Sequence, residues 1–460
     1  MKIFNRFAAI WVMLFAVGAL SLAAAQTPAP APVVTGKSPI IIIPGLTGSE
    51  LINSKTGQVA WFRTSRPKDD DVRLPISSNL ARNRDNLIAG DIIREIKIAK
   101  LLPEIEIYEK LIASLQTTGG YREAKWNTAT KEDFQDTFYV FAYDWRRDNV
   151  ENARLLIQKI ETLKRRLGKP DLRFNIVAHS MGGLISRYAA MYGNVDIPAG
   201  TPKPTWAGAR HLNKIFLLGT PNEGSLLALD GLINGVVYAG GKINLPWVQN
   251  LSRFDVFTIP SVYQLLPHAG TFKAYDEDLK PIELDIYNPQ VWDEYDWSVW
   301  DDKDYEKKFD ATERRNAKSY FLAALNRAKR FQAALDANSS ATIPVSFYLM
   351  GADCKETLNA MVLRRNEKKD QWITQFKAES YTTSTGTKIN SEQLKPIIYA
   401  MGDSVVPKRS LAVETLKTNG GTNILPITSE IYQCETHSRL VTNPEFQQRL
   451  FTILGAVTPN

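Results

Sequence analysis

Apolar positions along this chain fall into two strand rhythms and one helical rhythm. Ile40-Ile41-Ile42-Ile43, preceded by Ser38-Pro39, is an unbroken β-branched run, the pattern of a strand covered on both faces. The run Lys214-Ile215-Phe216-Leu217-Leu218-Gly219 reads in the same way. Leu172, Phe174 and Ile176 alternate with Arg173 and Asn175 before Val177, which predicts a half-buried strand. Ile157, Ile160 and Leu163 recur at helical spacing, so Lys164-Arg165-Arg166 continues an amphipathic helix on its solvated side, with Glu161 and Arg165 as an i,i+4 pair. Residues 183–192 contain no proline and predict a helix directly after the strand ending near Val177. Residues 312–338 predict a further helix. Strands and helices in alternation indicate an α/β chain.

Chemistry concentrates where the alternating strand meets its helix, at Ala178-His179-Ser180-Met181-Gly182. A serine on so tight a strand-to-helix turn projects its hydroxyl above the sheet edge and needs small residues two positions to either side. Ala178 and Gly182 meet that need. Met181 then offers its amide, at the start of the helix, to a developing oxyanion. The similar run Thr382-Thr383-Ser384-Thr385-Gly386 has no strand before it and reads as a loop. Such a serine belongs to a hydrolase or an acyltransferase, and its bland alternative is a buried serine at an ordinary turn.

A nucleophilic serine needs a base, and the chain has four histidines. His179 is adjacent to Ser180 and cannot fold its ring back onto the hydroxyl. His211 precedes the run at 214–219, at the opposite end of a parallel sheet from Ser180. His268 lies in an inserted segment. His437 follows Ile424-Leu425-Pro426-Ile427 late in the chain, where the order serine, acid, histidine requires the base. Two aspartates qualify as the acid. Asp403 sits between Gly402 and Ser404-Val405-Val406-Pro407, a stiff turn suited to holding an imidazole; Asp353, after the apolar run at 345–352, is the alternative. The loop Pro44-Gly45-Leu46-Thr47-Gly48 after the first strand would supply the second oxyanion donor, from the Leu46 amide, since its glycines permit close backbone approach.

Taken in order, Ile43-Pro44-Gly45-Leu46-Thr47-Gly48-Ser49-Glu50-Leu51, Tyr143-Asp144-Trp145-Arg146, the Ser180 motif, Gly219-Thr220-Pro221-Asn222-Glu223-Gly224-Ser225, Gly402-Asp403-Ser404-Val405-Val406-Pro407 and His437 resemble the lecithin:cholesterol acyltransferase and lysosomal phospholipase family. The resemblance runs from about residue 38 to 445. It implies an α/β-hydrolase fold, a mostly parallel sheet flanked by helices, and acyl-ester chemistry on lipids. By matching positions it implies Ser180 as nucleophile, Asp403 as acid, His437 as base, and Leu46 with Met181 as oxyanion donors. The close cysteine pair that staples the early lipid-binding loop of some members has no counterpart here. Asp144 and Arg146 are most simply an ion pair or a structural hydrogen-bonding group near the site.

Composition adds compartment and organisation. Lys2 and Arg6 precede an apolar stretch at 7–20, and Ala23-Ala24-Ala25 before Gln26 fits a cleavage site, so 1–25 reads as a signal peptide and the protein as periplasmic or secreted. An uncleaved anchor is the alternative. Residues 26–37 are a Pro/Ala-rich linker, and 38–460 the catalytic domain. That domain is longer than a minimal catalytic sheet; insertions at about 52–110 and 226–342 are expected, the first a lipid-contact subdomain and the second a cap with an apolar acyl-chain groove. The two cysteines, Cys354 and Cys434, follow strands at the active edge and are expected to pair. The formal charge of +7 weakly favours anionic surfaces, but the acidic run at 292–306 opposes it. Nucleic-acid recognition lacks a motif. Neither cofactor nor metal is called for. The expected substrate is a glycerolipid or other acyl ester, met in transient contact with a lipid surface, and the expected acceptor is water or an alcohol. An esterase of a non-lipid ester and a non-catalytic lipid carrier are the competing readings.

Overall fold

Seven parallel strands form the central sheet of the computed structural model: β1 (Ile40–Ile43), β2 (Arg122–Glu123), β3 (Thr137–Val140), β4 (Phe174–His179), β5 (Leu212–Leu218), β6 (Ser346–Gly351) and β7 (Ile427–Tyr432). Their spatial order is β7-β6-β5-β4-β1-β3-β2. The structure describes residues 35–63, 72–96, 105–106, 108–236, 249–339, 343–366, 370–418 and 424–457. The expected signal peptide lies outside these, with most of the linker and parts of both insertions.

Side chains of β1 divide between two cores, Ile41 and Ile43 on one face and Ile40 and Ile42 on the other. Helices on both faces explain this two-sided burial. On the first face lie α2 (Asn149–Leu167), α3 (Met181–Tyr192) and α4 (Ala311–Leu335); on the second, α1 (Glu109–Thr117) and the C-terminal helix Pro444–Leu454. The β-branched run at 40–43 thus has the environment its sequence predicts. Strand β4 does not: all six of its residues are buried, not half of them. Its polar position is satisfied internally, with Asn175 Oδ1 accepting the Lys214 amide at 3.3 Å. Arg173 escapes burial in the sheet by donating to the carbonyls of Leu212 and Pro344.

Local capping sets the helix limits. Asp148 accepts the Val150 and Glu151 amides at the start of α2, and Gly168, at φ 65°, ends it. Asp310 and Glu313 form a capping box at the start of α4. The expected Glu161–Arg165 pair is not formed. Glu161 instead meets Arg210 at 3.0 Å and His211 at 3.4 Å, and Lys164 is buried with its amine 3.2 Å from His211 Nδ1. A neighbouring turn offers better partners than the helix's own next turn does.

The described buried apolar residues of the insertion at 226–342 join the core cluster on the first face of the sheet. Trp292 and Trp297 are buried edge to face, and Phe321 of α4 meets both Trp292 and Trp300. Its last helix, α4, returns along α3, where Tyr192 donates to the Ala334 carbonyl at 2.8 Å. In the insertion at 52–110, strands Ser49–Asn53, Val59–Trp61 and Leu87–Ile92 form a small antiparallel sheet. A third excursion, residues 355–398, has no counterpart in the sequence reading. It carries short strands and the helix Ser391–Ile398, then returns through Tyr399–Gly402, which pairs antiparallel with Lys355–Leu358 outside the central sheet. The Thr/Ser run at 382–386 is a loop between Tyr381–Thr382 and Lys388–Ile389, as expected.

Cys354 and Cys434, just beyond the paired strands β6 and β7, are joined as a disulfide closing 80 residues. Replacing both with alanine should destabilise the protein by about 2–5 kcal/mol in denaturant titrations. An unchanged midpoint, with two free thiols counted in the unreduced wild-type protein, would contradict the bridge.

Candidate active site

Strand β4 delivers its chain to Ser180 and α3 leaves from it. Ser180 holds φ 53° and ψ −126°, a left-handed conformation that a non-glycine residue adopts only when its surroundings impose it. Its amide donates to the Leu218 carbonyl at 2.8 Å, and its carbonyl accepts from Gly183 at 2.9 Å. Backbone crowding does the rest. A Cβ at Gly182 would lie 2.6 Å from the Pro44 carbonyl, and one at Gly45 would lie 2.8 Å from Ser180 Cβ. A Cβ at Gly183 would come closer still, 2.0 Å from Thr220 Oγ1. The loop after β1 therefore lies directly on the serine turn.

That proximity brings the two expected oxyanion donors to one edge. Among the described residues, neither the Leu46 amide nor the Met181 amide has a hydrogen-bond acceptor. The Gly45 amide is taken, donating to Tyr108 Oη at 2.9 Å. Tyr143-Asp144-Trp145-Arg146 shapes the same loop. Tyr143 Oη donates to the Pro44 carbonyl at 2.8 Å, and Trp145 Nε1 to the Ser49 carbonyl at 3.1 Å. Trp61 Nε1 donates to the Thr47 carbonyl at 3.0 Å, with its ring edge-on to Trp145. Behind them the fully buried Arg146 forms the expected pair with Asp144 at 2.8 Å and a second with Asp85 at 2.6 Å.

Asp403 and His437 are in contact. His437 Nδ1–H donates to Asp403 Oδ2 at 2.7 Å, and the His437 amide donates to the Asp403 carbonyl at 2.8 Å. Asp403 Oδ1 accepts the amides of Val405 and Val406 at 2.9 and 2.7 Å, so Val-Val-Pro holds the carboxylate as its sequence suggests. Burial would raise this carboxyl, yet the His437 charge and N–H, with the Val406 and Val405 amides, hold it below the ordinary range. With Nδ1 occupied, Nε2 is the ring nitrogen that Asp403 leaves open.

Ser180 and this pair both lie against the end of β5. Leu218, which accepts the Ser180 amide, precedes Gly219, where a Cβ would lie 3.0 Å from both Asp403 Oδ2 and His437 Cε1. The Ser180 hydroxyl makes no hydrogen bond within the described residues. The other candidates lie apart. Asp353 is exposed and pairs with Lys408 at 3.3 Å; His211 sits before β5, at the far end of the sheet; His268 pairs with Asp336 at 2.7 Å. His179 is buried beside His437, its Nε2 3.0 Å from the His437 carbonyl. Burial, with the His437 charge next to it, pushes the His179 ring down to about 3, so it stays neutral.

Gly219-Thr220-Pro221-Asn222-Glu223-Gly224-Ser225 ties the site to its supports. Asn222 accepts from buried Arg187 and donates to the Leu411 carbonyl; Glu223 accepts from Arg409 and from the Leu416 amide. Ser225 Oγ donates to the Val405 carbonyl at 2.7 Å, just beyond Asp403. Composition and periodicity gave no sign of these roles. Among the described residues, no group of three His, Cys, Asp or Glu is placed to hold a metal ion.

The family model of lecithin:cholesterol acyltransferase matches residues 89–439, a span that contains Ser180, Asp403 and His437 but not the Leu46 loop. In three dimensions the chain is similar to the crystal structure of the Tle4–Tli4 complex, with TM-score 0.55 and 13% identity over 92% of this chain and 99% of that one. It is also similar to the mature form of Bacillus licheniformis lipase BlEst2, with TM-score 0.33 and 13% identity over 94% and 95% of the two chains. For EstA from Clostridium botulinum the values are 0.36, 12%, 93% and 90%. No curated protein matches the chain in sequence. The architecture is the α/β-hydrolase fold.

Two substitutions test the packing of the site. Arg146→Met leaves Asp85 and Asp144 without their buried cation and should destabilise the protein by about 3–5 kcal/mol in denaturant titrations. A loss under about 1 kcal/mol would show that the pair carries little. Gly219→Ala should lower kcat at least tenfold, because its Cβ would press on Leu440, Asp403 and His437 while a φ of 58° strains the alanine backbone itself. Wild-type turnover in that variant would remove the crowding argument.

Proposed function

We propose, on the premise that this chain belongs to the lecithin:cholesterol acyltransferase family, a serine-dependent acyl transfer from fatty acyl esters through an acyl-enzyme. Membership supports an acyl-ester hydrolase or acyltransferase acting on lipids. One observation carries the finer reading: the Asp403–His437 pair, closed at 2.7 Å, lies beside the Leu218–Gly219 segment that anchors strained Ser180.

In this reading His437 Nε2 takes the Ser180 proton as Oγ attacks the ester carbonyl. The Leu46 and Met181 amides hold the oxyanion of the tetrahedral intermediate. Collapse breaks the ester C–O bond, and His437 returns the proton to the leaving alcohol. Water or a second alcohol then gives its proton to His437 and attacks the acyl-serine; the Ser180 Oγ–acyl bond breaks, His437 returns that proton to Oγ, and the fatty acid or new ester leaves. Asp403 fixes the imidazole tautomer and stabilises its cation throughout. The substrate is a glycerolipid, met at a lipid surface, with its chain under the 226–342 insertion. Export to the periplasm or medium agrees with the disulfide, which an oxidising compartment maintains.

Ser180→Ala should lower kcat by about 10⁴-fold or more with little change in melting temperature, and His437→Ala should do the same. Asp403→Asn should cost about 10⁴-fold. A panel of long- and short-chain esters should favour long chains. Retained turnover in Ser180→Ala would refute the nucleophile assignment, and preference for short soluble esters would redirect the substrate to a non-lipid ester.

A further inference from the structure

Tyr108 lies in the insertion after β1, as the N-cap of α1, and is fully buried. Neither its sequence context nor the chemistry above gives it a role. Its hydroxyl sits 2.9 Å from the Gly45 amide and 2.9 Å from His179 Nδ1. The other nitrogen of that imidazole, Nε2, is 3.0 Å from the His437 carbonyl. Four groups on four segments thus form one continuous chain of contacts.

Proton counting fixes its direction. The Gly45 amide can only donate and the His437 carbonyl can only accept. His179 Nε2 must therefore carry the proton that faces the carbonyl; unprotonated, it would set two acceptors against each other. A neutral ring with its proton on Nε2 leaves Nδ1 as an acceptor. Tyr108 then accepts from Gly45 and donates to Nδ1. Each donor and acceptor is used once.

We propose that Tyr108 and His179 are positioning residues for acyl transfer, a neutral clamp that registers the oxyanion loop and the serine turn against the segment bearing the catalytic histidine. The inference rests on the serine reading above and deepens it. Two consequences follow from the geometry. By capturing the Gly45 amide, Tyr108 excludes it as an oxyanion donor and leaves the next amide, Leu46, to face the site. By donating to the His437 carbonyl, His179 restrains that residue at its C=O, while Asp403 holds its amide and its ring. A charged pair could restrain the loops too, but its charge would perturb an imidazole whose ring centre lies 4.8 Å away. The neutral chain avoids that cost.

The clamp acts on orientation, so its removal should be felt in turnover and not in substrate affinity. Tyr108→Phe keeps the buried ring and deletes the hydroxyl. It should lower kcat about 10- to 100-fold on a p-nitrophenyl acyl ester, with KM within about twofold of wild type. The rate of covalent labelling by a fluorophosphonate should fall in parallel, since that reaction also needs the oxyanion donors and the base. His179→Gln, which can still donate to the His437 carbonyl but loses Tyr108, should fall between wild type and Tyr108→Phe. Should Tyr108→Phe not fold, His179→Gln decides by the same two rates. Wild-type kcat and labelling rate in these variants, with only the melting temperature lowered, would overturn the clamp while Ser180 remains labelled in the parent protein. If the fluorophosphonate modifies the wild-type protein at a residue other than Ser180, the serine reading falls and the clamp with it.

Discussion

Backbone approach too close for any side chain is the constraint on which the active edge depends. The loop after β1 touches the serine turn through Gly45 and Gly182, and β5 passes the aspartate–histidine pair through Gly219. Each contact would place an added Cβ within 3.0 Å of another atom, closer than packed side chains tolerate. Hydrogen bonds alone could not enforce such registration, because each is worth only about 1 kcal/mol net. Close packing converts three separately folded loops into one surface, and the bonds then select which atoms face outward.

Around that contact the supports are arranged by chemistry. Arg146 is neutralised by Asp85 and Asp144, and Glu223, in the segment after β5, meets Arg409. Nearest the site the connections are neutral, made by Tyr143, Trp145, Tyr108 and His179. Asp403 is the exception, and its charge is directed at His437. A site laid out in this way lets one carboxylate govern one imidazole without competing fields.

Much of this was legible in the residues. The isoleucine run at 40–43 announced a strand covered twice, and the serine turn announced its own geometry through Ala178 and Gly182. Elimination among the histidines left His437, which pairs with Asp403, and the disulfide followed from cysteines placed just beyond two strands that end at one rim of the sheet. Tertiary effects stayed hidden. Strand β4 alternates in sequence yet is wholly buried, because Asn175 finds a backbone donor inside the sheet. Glu161 abandons its helical partner for Arg210. Asp403 follows a strand that belongs to a side excursion, which local pattern cannot distinguish from a central strand. Tyr108 gave no signal, since its role exists only where separate segments converge.

The central claim is that the Ser180 hydroxyl, the His437 imidazole and the amides of Leu46 and Met181 act on one tetrahedral centre. A crystal structure of the protein after reaction with a long-chain alkyl phosphonate tests this most directly. The account predicts phosphorus bonded to Ser180 Oγ, the phosphonyl oxygen about 2.7–3.1 Å from both amide nitrogens, and His437 Nε2 in hydrogen-bond contact with an oxygen on phosphorus. Phosphorus on another residue, or a phosphonyl oxygen turned away from both amides, would contradict it.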